Sequence, residues 1–105
     1  MAHLDVYANP DRETATVIPY ILDVQSDLLH SLPSVTVIPL AQIAAIEQMP
    51  ILRLNPTFQI GHKTVVALTQ DIASIPRRLL KKPVTNLSPQ RDEILAALDL
   101  LFTGL

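Results

Sequence analysis

PYILDVQS (residues 19–26) is the segment of this sequence that says most about its architecture. Pro19 opens the segment, and the side chains after it alternate between two faces of an extended chain. One face carries Tyr20, Leu22 and Val24, and the other carries Ile21, Asp23 and Gln25. A period of two residues is typical of a β-strand, because successive side chains point to opposite faces of the sheet. The segment therefore predicts a strand.

Short apolar segments of similar length lie on both sides of this strand. We predict further strands at residues 4–7, 35–40, 51–54, 57–60 and 64–68. Pro39 lacks an amide hydrogen and is expected to weaken the end of the strand at 35–40. The turn Gly61-His62-Lys63 between the last two segments predicts a β-hairpin. Residues 41–49 (AQIAAIEQM) have room for about two helical turns before Pro50. Residues 70–87 predict an irregular connection with at most short helical turns.

The last segment of the chain predicts the clearest helix. Ser88 is a favourable cap, Pro89 suits the first helical position, and the helix runs to about Phe102 and ends before Gly104. Apolar residues recur at helical spacing at Ile94, Leu98, Leu101 and Leu105. Because so apolar a chain end is rarely left in water, we expect it to meet a partner.

Composition narrows the class of protein. The chain has 105 residues, of which 49% are apolar and 17% charged, so we expect one folded domain over residues 1–105. A net charge of −2 disfavours nucleic acid as the main partner. The lack of cysteine excludes disulfides and a thiolate site. With no long apolar run and no signal-peptide pattern, we expect a soluble, cytoplasmic protein without a membrane segment.

Motifs for catalysis are sparse. His3, His30 and His62 are scattered without metal-ligand spacing, and the chain has no phosphate-binding glycine loop, so we predict no metal, no cofactor and no catalytic residues. Asp23 and Asp27 are four residues apart. We expect Asp23 to accept a hydrogen bond from a neighbouring backbone amide and Asp27 to cap a turn, in preference to an acid–base pair.

A dense basic run, RRLLKK, occupies residues 77–82. It has enough charge to touch phosphate, but an aromatic content of 4% is too low for base stacking. We favour a solvated segment whose leucines pack inward. Thr69 and Ser74 have hydroxyl groups that could serve in a nucleic-acid-cleaving site, but no general base lies nearby in sequence, and we interpret both as turn residues.

Six blocks of this sequence together resemble the CcdB toxins of bacterial toxin–antitoxin modules. They follow the family's order and spacing: Val6-Tyr7, LDVQSDLL (22–29), VIPL (37–40), Pro56 with Ile60-Gly61, TQDIASIP (69–76), and residues 94–105. The combination of DVQSD (23–27) with VIPL is the most specific part of the resemblance, which covers nearly the whole chain.

The resemblance implies a mainly β fold, a small antiparallel barrel of the SH3-like or CcdB-like type, with a C-terminal α-helix. It also implies a cytoplasmic homodimer that is not an enzyme. Family toxins inhibit a topoisomerase: they bind the A subunit of DNA gyrase and trap it on cleaved DNA, and they serve in plasmid maintenance. A cognate CcdA-like antitoxin neutralises them by wrapping its disordered tail around the dimer. No direct, specific binding of nucleic acid is implied.

The resemblance also implies a gyrase-binding site where two helix ends meet. Carried over by position, its residues are Asp99, Phe102, Thr103, Gly104 and Leu105, flanked by Leu28 and Leu29. This sequence departs from the family pattern at Thr103, because the gyrase-poisoning toxin has a tryptophan just before the terminal glycine. Threonine lacks an aromatic face for a cationic partner.

Three functions therefore stay open. The first is a gyrase toxin. The second is a weakened or non-toxic relative that still binds antitoxin. The third is an endoribonuclease, since a related toxin family of similar fold cleaves messenger RNA; the acidic net charge and the lack of that family's arginine-containing strand motif disfavour it.

Overall fold

A sheet of short antiparallel strands with one C-terminal helix forms the protein. The computed structural model describes residues 3–104. Within them lie strands β1 (Asp5–Ala8), β2 (Tyr20–Asp23), β3 (Ser34–Gln42), β4 (Thr57–Ile60), β5 (Lys63–Ala67), β6 (Ala73–Pro76) and β7 (Thr85–Asn86), and helix α1 (Arg91–Thr103).

The strands follow the order β4-β5-β3-β2-β1-β7, and β6 pairs with β3 beyond the end of β5. Every pairing is antiparallel. The sheet curls into a nearly closed, barrel-like shape, with α1 packed on it. The predicted fold class, mainly β with a C-terminal helix, is confirmed. The hairpin between β4 and β5 is confirmed as well, and Gly61 at φ +61° makes its turn.

The alternation predicted for β2 separates two apolar clusters on opposite faces of the sheet. Leu22 lies in the main core, against which Tyr20 and Val24 pack. Ile21 lies in a second, smaller cluster with Tyr7, and Asp23 is buried. The main core contains the buried Ile94 of α1, so the helix covers one face of the sheet.

Strand β3 is longer than predicted and runs straight through Pro39. Pro39 stands opposite Ile21 of β2. On the other edge of β3, residues 34–37 pair with β6 and residues 40–42 pair with β5, so Pro39 lies in the gap between them. There its carbonyl accepts from the amide of Leu68 at 2.9 Å, and no donor is required of it. The prediction that Pro39 weakens the strand was therefore wrong.

The helical turns predicted at 41–49 and the strand predicted at 51–54 were also wrong. The segment 41–49 forms only one short 3-10 turn, Ile43–Ala45, because Gln42 continues β3 and its amide donates to the carbonyl of Val17 at 2.8 Å. Residues 51–54 form a turn and not a strand, with Arg53 at φ +70°. An apolar run next to two prolines imitates a strand in sequence, and only its tertiary contacts separate the two.

The connection at 70–87 is more regular than predicted. It contains β6 and the short β7, together with 3-10 turns at Thr69–Asp71 and Arg77–Leu79. Ser74 belongs to β6 and stands opposite Thr36, so its assignment to a turn was wrong. Strand β6 forms because β3 offers a free edge beyond β5, and no local pattern in the sequence reports that.

The start of the helix differs in detail from the prediction. Residues Ser88–Gln90 form a 3-10 turn, and α1 proper begins at Arg91. Ser88 does not cap the turn with its side chain; instead the Asn86 side chain accepts from the Ser88 amide at 2.8 Å. The end of the helix is as predicted, with Gly104 in the left-handed conformation at φ +77°.

Candidate functional site

Helix α1 is fixed at its middle and open at its end. Ile94 and Ala97 are buried, and Leu98 packs against the main core. Toward the C-terminus the burial fades, and the Phe102 side chain is 68% exposed. Gly104 closes the helix by donating its amide to the carbonyl of Leu100 at 3.1 Å. The helix thus presents an aromatic ring and a bare backbone cap to solvent.

Two polar residues complete the described part of this helix end. Asp99 and Thr103 are both exposed. The Thr103 hydroxyl donates to the carbonyl of Asp99, one turn back, at 2.7 Å. A hydroxyl turned onto its own helix is a common device for satisfying a terminal carbonyl. Leu105, the last residue predicted for the site, lies outside the described residues.

Leu28 and Leu29 lie in the 3-10 turn Asp27–Leu29, between β2 and β3. Their side chains are 89% and 45% exposed. Ser26 caps the turn, because its hydroxyl accepts from the Leu28 amide at 3.2 Å. The prediction that Asp27 is the cap was therefore wrong; Asp27 follows the cap and its carbonyl accepts from the His30 amide at 3.2 Å.

The DVQSD motif builds this turn with side-chain hydrogen bonds. Asp23 accepts from the Gln25 amide at 2.9 Å, which confirms the predicted anchor. The Gln25 side chain in turn accepts from the Thr36 amide and hydroxyl, each at 3.1 Å, and donates to the Ser34 carbonyl at 3.2 Å. The motif therefore ties the turn to β3 through the side-chain hydrogen bonds of Gln25.

Burial sets the electrostatics of the same region. Asp23 is only 3% exposed, and burial raises the pKa of its carboxyl, while the hydrogen bond from Gln25 partly offsets that rise. On β1, burial and the nearby Asp5 raise the pKa of Tyr7 to about 12. Asp5 accepts from the Asn86 side chain at 3.0 Å and from the Tyr7 hydroxyl at 3.4 Å. No pattern in the sequence pointed to this polar cluster.

The structure brings some of the predicted site residues together and leaves others in a separate element. Asp99, Phe102, Thr103 and Gly104 share the exposed end of α1. Leu28 and Leu29 belong to the β2–β3 connection, whereas α1 packs against the 3-10 turns Thr69–Asp71 and Ser88–Gln90. Each group includes an exposed apolar side chain, Phe102 in α1 and Leu28 in the connection.

The loop between β3 and β4 is a second exposed apolar surface, which was not predicted from the sequence. Met49 and Leu52 are each 89% exposed, and Ile51 is 55% exposed. The apolar run at 51–54 was interpreted as a strand. Two prolines, Pro50 and Pro56, frame it in the sequence and were the signal for a loop.

The structure also shows where the other polar residues considered in the sequence analysis lie. In the basic run, Leu80 packs against the smaller apolar cluster while Leu79 is 38% exposed, and the Arg77 side chain donates to the Leu32 carbonyl at 2.9 Å. Thr69 is fully buried. Over residues 3–104, no cluster of three or more histidine, aspartate or glutamate side chains is arranged to hold a metal ion. In the same range no helix has the length and apolarity needed to cross a membrane.

Comparison with protein families agrees with the resemblance seen in the sequence. The model of the CcdB protein family matches residues 3–104, which is nearly the whole chain. The segments that hold the fold together, DVQSD at the β2–β3 turn and VIPL in β3, lie within the match. The chain therefore belongs to the CcdB family and is a toxin of the CcdB type.

Proposed function

We propose that this protein inhibits DNA gyrase by binding the gyrase A subunit through the exposed end of α1, and that a CcdA-like antitoxin neutralises it. The observation that carries the proposal is the combination of family membership with the exposure of Phe102, 68% of whose side chain faces solvent. An exposed aromatic ring at the end of an anchored helix is the kind of side chain that dominates binding at protein interfaces.

The turn at Asp27–Leu29 supports the same proposal. Leu28 is almost fully exposed, yet Ser26 and the DVQSD hydrogen bonds hold its backbone in one conformation. Holding an apolar side chain in water in a fixed position lowers the entropy lost on binding. In the proposed complex, Leu28 and Leu29 flank the helix end and shield the central contact from water.

A homodimer is part of this proposal. In the family arrangement, two helix ends lie side by side at the dimer axis, so the partner copy completes the gyrase-binding surface. In such a dimer the partly buried Leu101 would pack against the second helix end, and the exposed Phe102 would stay open to gyrase. A two-fold axis there would present each contact residue twice to gyrase.

The proposed mechanism is binding without bond chemistry in the toxin itself. Gyrase cleaves and rejoins DNA, and the toxin holds the cleaved state by binding it more tightly than the rejoined state. The proposed mechanism requires no catalytic residue and no cofactor in the chain, and it needs no specific contact with nucleic acid.

One observation favours the second candidate, a weakened relative that still binds antitoxin. The Thr103 hydroxyl is engaged with the Asp99 carbonyl at 2.7 Å, and threonine supplies no ring beside Phe102. Wrapping by a disordered tail spreads its contacts over many residues, so antitoxin binding does not depend on one aromatic side chain.

A DNA supercoiling assay with purified gyrase tests the proposed site. We expect Phe102→Ser to abolish inhibition, because it removes the exposed ring without opening the core. Val84→Ser is the matched control, since Val84 is 50% exposed and lies outside the proposed site. Equal inhibition by wild type, Phe102→Ser and Val84→Ser would show that the helix end is not the gyrase-binding site.

The same assay distinguishes the two candidate functions of this chain, a gyrase toxin and a weakened relative. We expect weak inhibition by the wild type, and stronger inhibition by Thr103→Trp, by a factor of about 5 to 150, as an interface aromatic contributes about 1 to 3 kcal/mol. Deletion of residues 103–105 is expected to abolish inhibition while the dimer persists. If Thr103→Trp leaves inhibition unchanged, Thr103 does not contact gyrase. Degradation of single-stranded RNA by the purified protein would point to the endoribonuclease instead.

A further inference from the structure

The β3–β4 loop (residues 43–56) exposes apolar side chains that the proposed function does not use. Met49 and Leu52 are each 89% exposed, the same exposed fraction as Leu28 at the proposed gyrase-binding site. Ile51 lies between them in sequence and is 55% exposed. Neighbouring apolar side chains exposed together are typical of an interaction site, whereas scattered ones are not.

Buried hydrogen bonds hold this loop in place. Asn55 is only 7% exposed, and its side chain donates to the Ala67 carbonyl at 3.0 Å and to the Gln70 side chain at 2.8 Å. The same side chain accepts from the Ile51 amide at 3.0 Å, and the Asn55 amide donates to the Ile51 carbonyl at 2.9 Å. The loop is therefore clamped to β5 and to the turn that follows it.

Backbone strain lies at the point where the loop projects. Arg53 adopts φ +70°, a left-handed conformation that disfavours a residue with a Cβ atom. A loop that tolerates strain and keeps two large apolar side chains in water is preorganised, and preorganised loops of this kind are concentrated at binding sites.

Two grooves flank the clamped loop, and Pro50, Ile51 and Asn55 line both of them. The first has a volume of about 470 Å³ and runs between Leu52 and the Glu93 and Ala96 side of α1. The second, of about 370 Å³, runs between Met49 and the far end of β5, where it meets Asp71. Each groove has room for one or two side chains of a peptide.

The charged side chains that line these grooves favour one kind of peptide over another. Glu93 lines the first groove, and Glu47 and Asp71 line the second. The cation on these linings is Arg53, which is itself engaged in a contact. Apolar floors bordered by carboxylates complement an apolar peptide with positive charges, and they repel an acidic tail.

We propose that the β3–β4 loop and its two grooves bind a segment of a partner protein in which apolar side chains stand next to lysine or arginine. The site is separate from the end of α1, and the proposal does not depend on binding to gyrase. It assigns the chain a second protein-binding surface, with a preference for positively charged segments.

Peptides of defined charge test the proposal with the full-length protein. The probe is a fluorescently labelled, blocked octapeptide that alternates leucine and arginine, and the comparison peptide has glutamate in place of every arginine. We expect saturable binding of the arginine peptide at about 0.15 M salt, weaker binding as salt is added, and no binding of the glutamate peptide. Failure of the arginine peptide to bind, or equal binding of both peptides, would overturn the proposal.

Matched variants locate the binding. We expect Leu52→Ser and Met49→Ser each to raise the Kd of the arginine peptide at least about fivefold. Val84→Ser is the control for loss of an exposed apolar side chain. Glu93→Gln and Glu47→Gln are expected to raise the Kd and to reduce its dependence on salt, with Glu13→Gln as the control for an exposed glutamate elsewhere.

Amide chemical shifts show which surface the peptide occupies. We expect the changes at residues 46–57 and 93–96. Changes confined to Leu28 and Phe102 would place the peptide at the other surface and contradict the proposal. If sedimentation instead shows self-association that Leu52→Ser abolishes, the occupant is a second copy of this chain, whose residues 77–82 supply the basic segment, and the proposed partner protein is wrong.

Discussion

Two buried acidic groups on neighbouring strands show how single residues set the properties of this protein. Asp5 and Asp23 are 7% and 3% exposed, and the Tyr7 hydroxyl donates to Asp5. The cluster is satisfied by amide and hydroxyl donors, namely the Gln25 amide for Asp23 and the Asn86 side chain for Asp5. Burial raises the pKa of the Asp23 carboxyl, and the hydrogen bond from Gln25 and the charge of Arg77 offset part of that rise.

We predict that Asp23→Asn removes part of the pH dependence of stability. The pKa of Asp23 is raised in the folded protein, so its favourable contribution is present below the ordinary aspartate pKa of about 3.9 and is lost as the pH rises through the folded value. The asparagine oxygen keeps the hydrogen bond from Gln25. Between about pH 4 and about pH 7, the free energy of unfolding should therefore fall less in Asp23→Asn than in the wild type.

Urea unfolding at several pH values measures this difference. Asp27→Asn is the control, because Asp27 is exposed and lies in the next turn. Parallel pH profiles for the wild type and Asp23→Asn would contradict the prediction.

At the scale of one element, the β3–β4 loop depends on a single buried side chain. Asn55→Ala leaves the Ile51 amide and the Ala67 carbonyl without the partners that Asn55 supplies. We predict a loss of about 2 kcal/mol in the free energy of unfolding, in the range for buried polar groups left unsatisfied. Gln48→Ala, an exposed change in the same loop, should cost less than about 0.5 kcal/mol. Thermal or urea unfolding that gives equal values for the two variants would show that Asn55 does not hold the loop.

Helix α1 combines a buried anchor with an exposed end, and the two can be tested separately. Ile94 is 1% exposed in the main core, so Ile94→Ala is predicted to lower the free energy of unfolding by about 2 to 5 kcal/mol. Phe102→Ala, at the exposed end, should cost less than about 1 kcal/mol. Urea unfolding of both variants checks this. A large loss of stability for Phe102→Ala would mean that its ring supports the fold, and its exposure would no longer indicate a binding role.

At the scale of the whole molecule, the small size of the chain and its exposed apolar surfaces favour association. A chain of 105 residues buries relatively little surface by itself. We predict that sedimentation equilibrium at micromolar concentration gives twice the chain mass of 11.6 kDa. Replacing the partly buried Leu101 by glutamate at the proposed dimer axis should shift the protein toward the monomer. A clean monomer for the wild type would contradict the family arrangement proposed for gyrase binding.

The candidate site was predictable in part. Residues at the end of α1 were identified by resemblance, and their role in binding stays a prediction; of the described ones, Phe102 is 68% exposed. The hydrogen bond from Thr103 to Asp99 was not predictable, because it depends on the rotamer at the last helical turn. The apolar β3–β4 loop was missed because apolar residues at 51–54 suggested a strand, and sequence pattern alone does not distinguish a covered apolar run from an exposed one.

Several features of the fold arise from local physics and follow from residues close in the chain. Alternation in PYILDVQS specified β2 and its two faces, Gly61 specified the hairpin turn, and Gly104 specified the end of α1, since each depends on residues close in the chain. Tertiary structure alone decided the continuation of β3 through Pro39, the pairing of β6 with β3, and the turn around Arg53. Those outcomes depend on distant parts of the chain, because these determine which strand edges and buried carbonyls still need a hydrogen-bond partner.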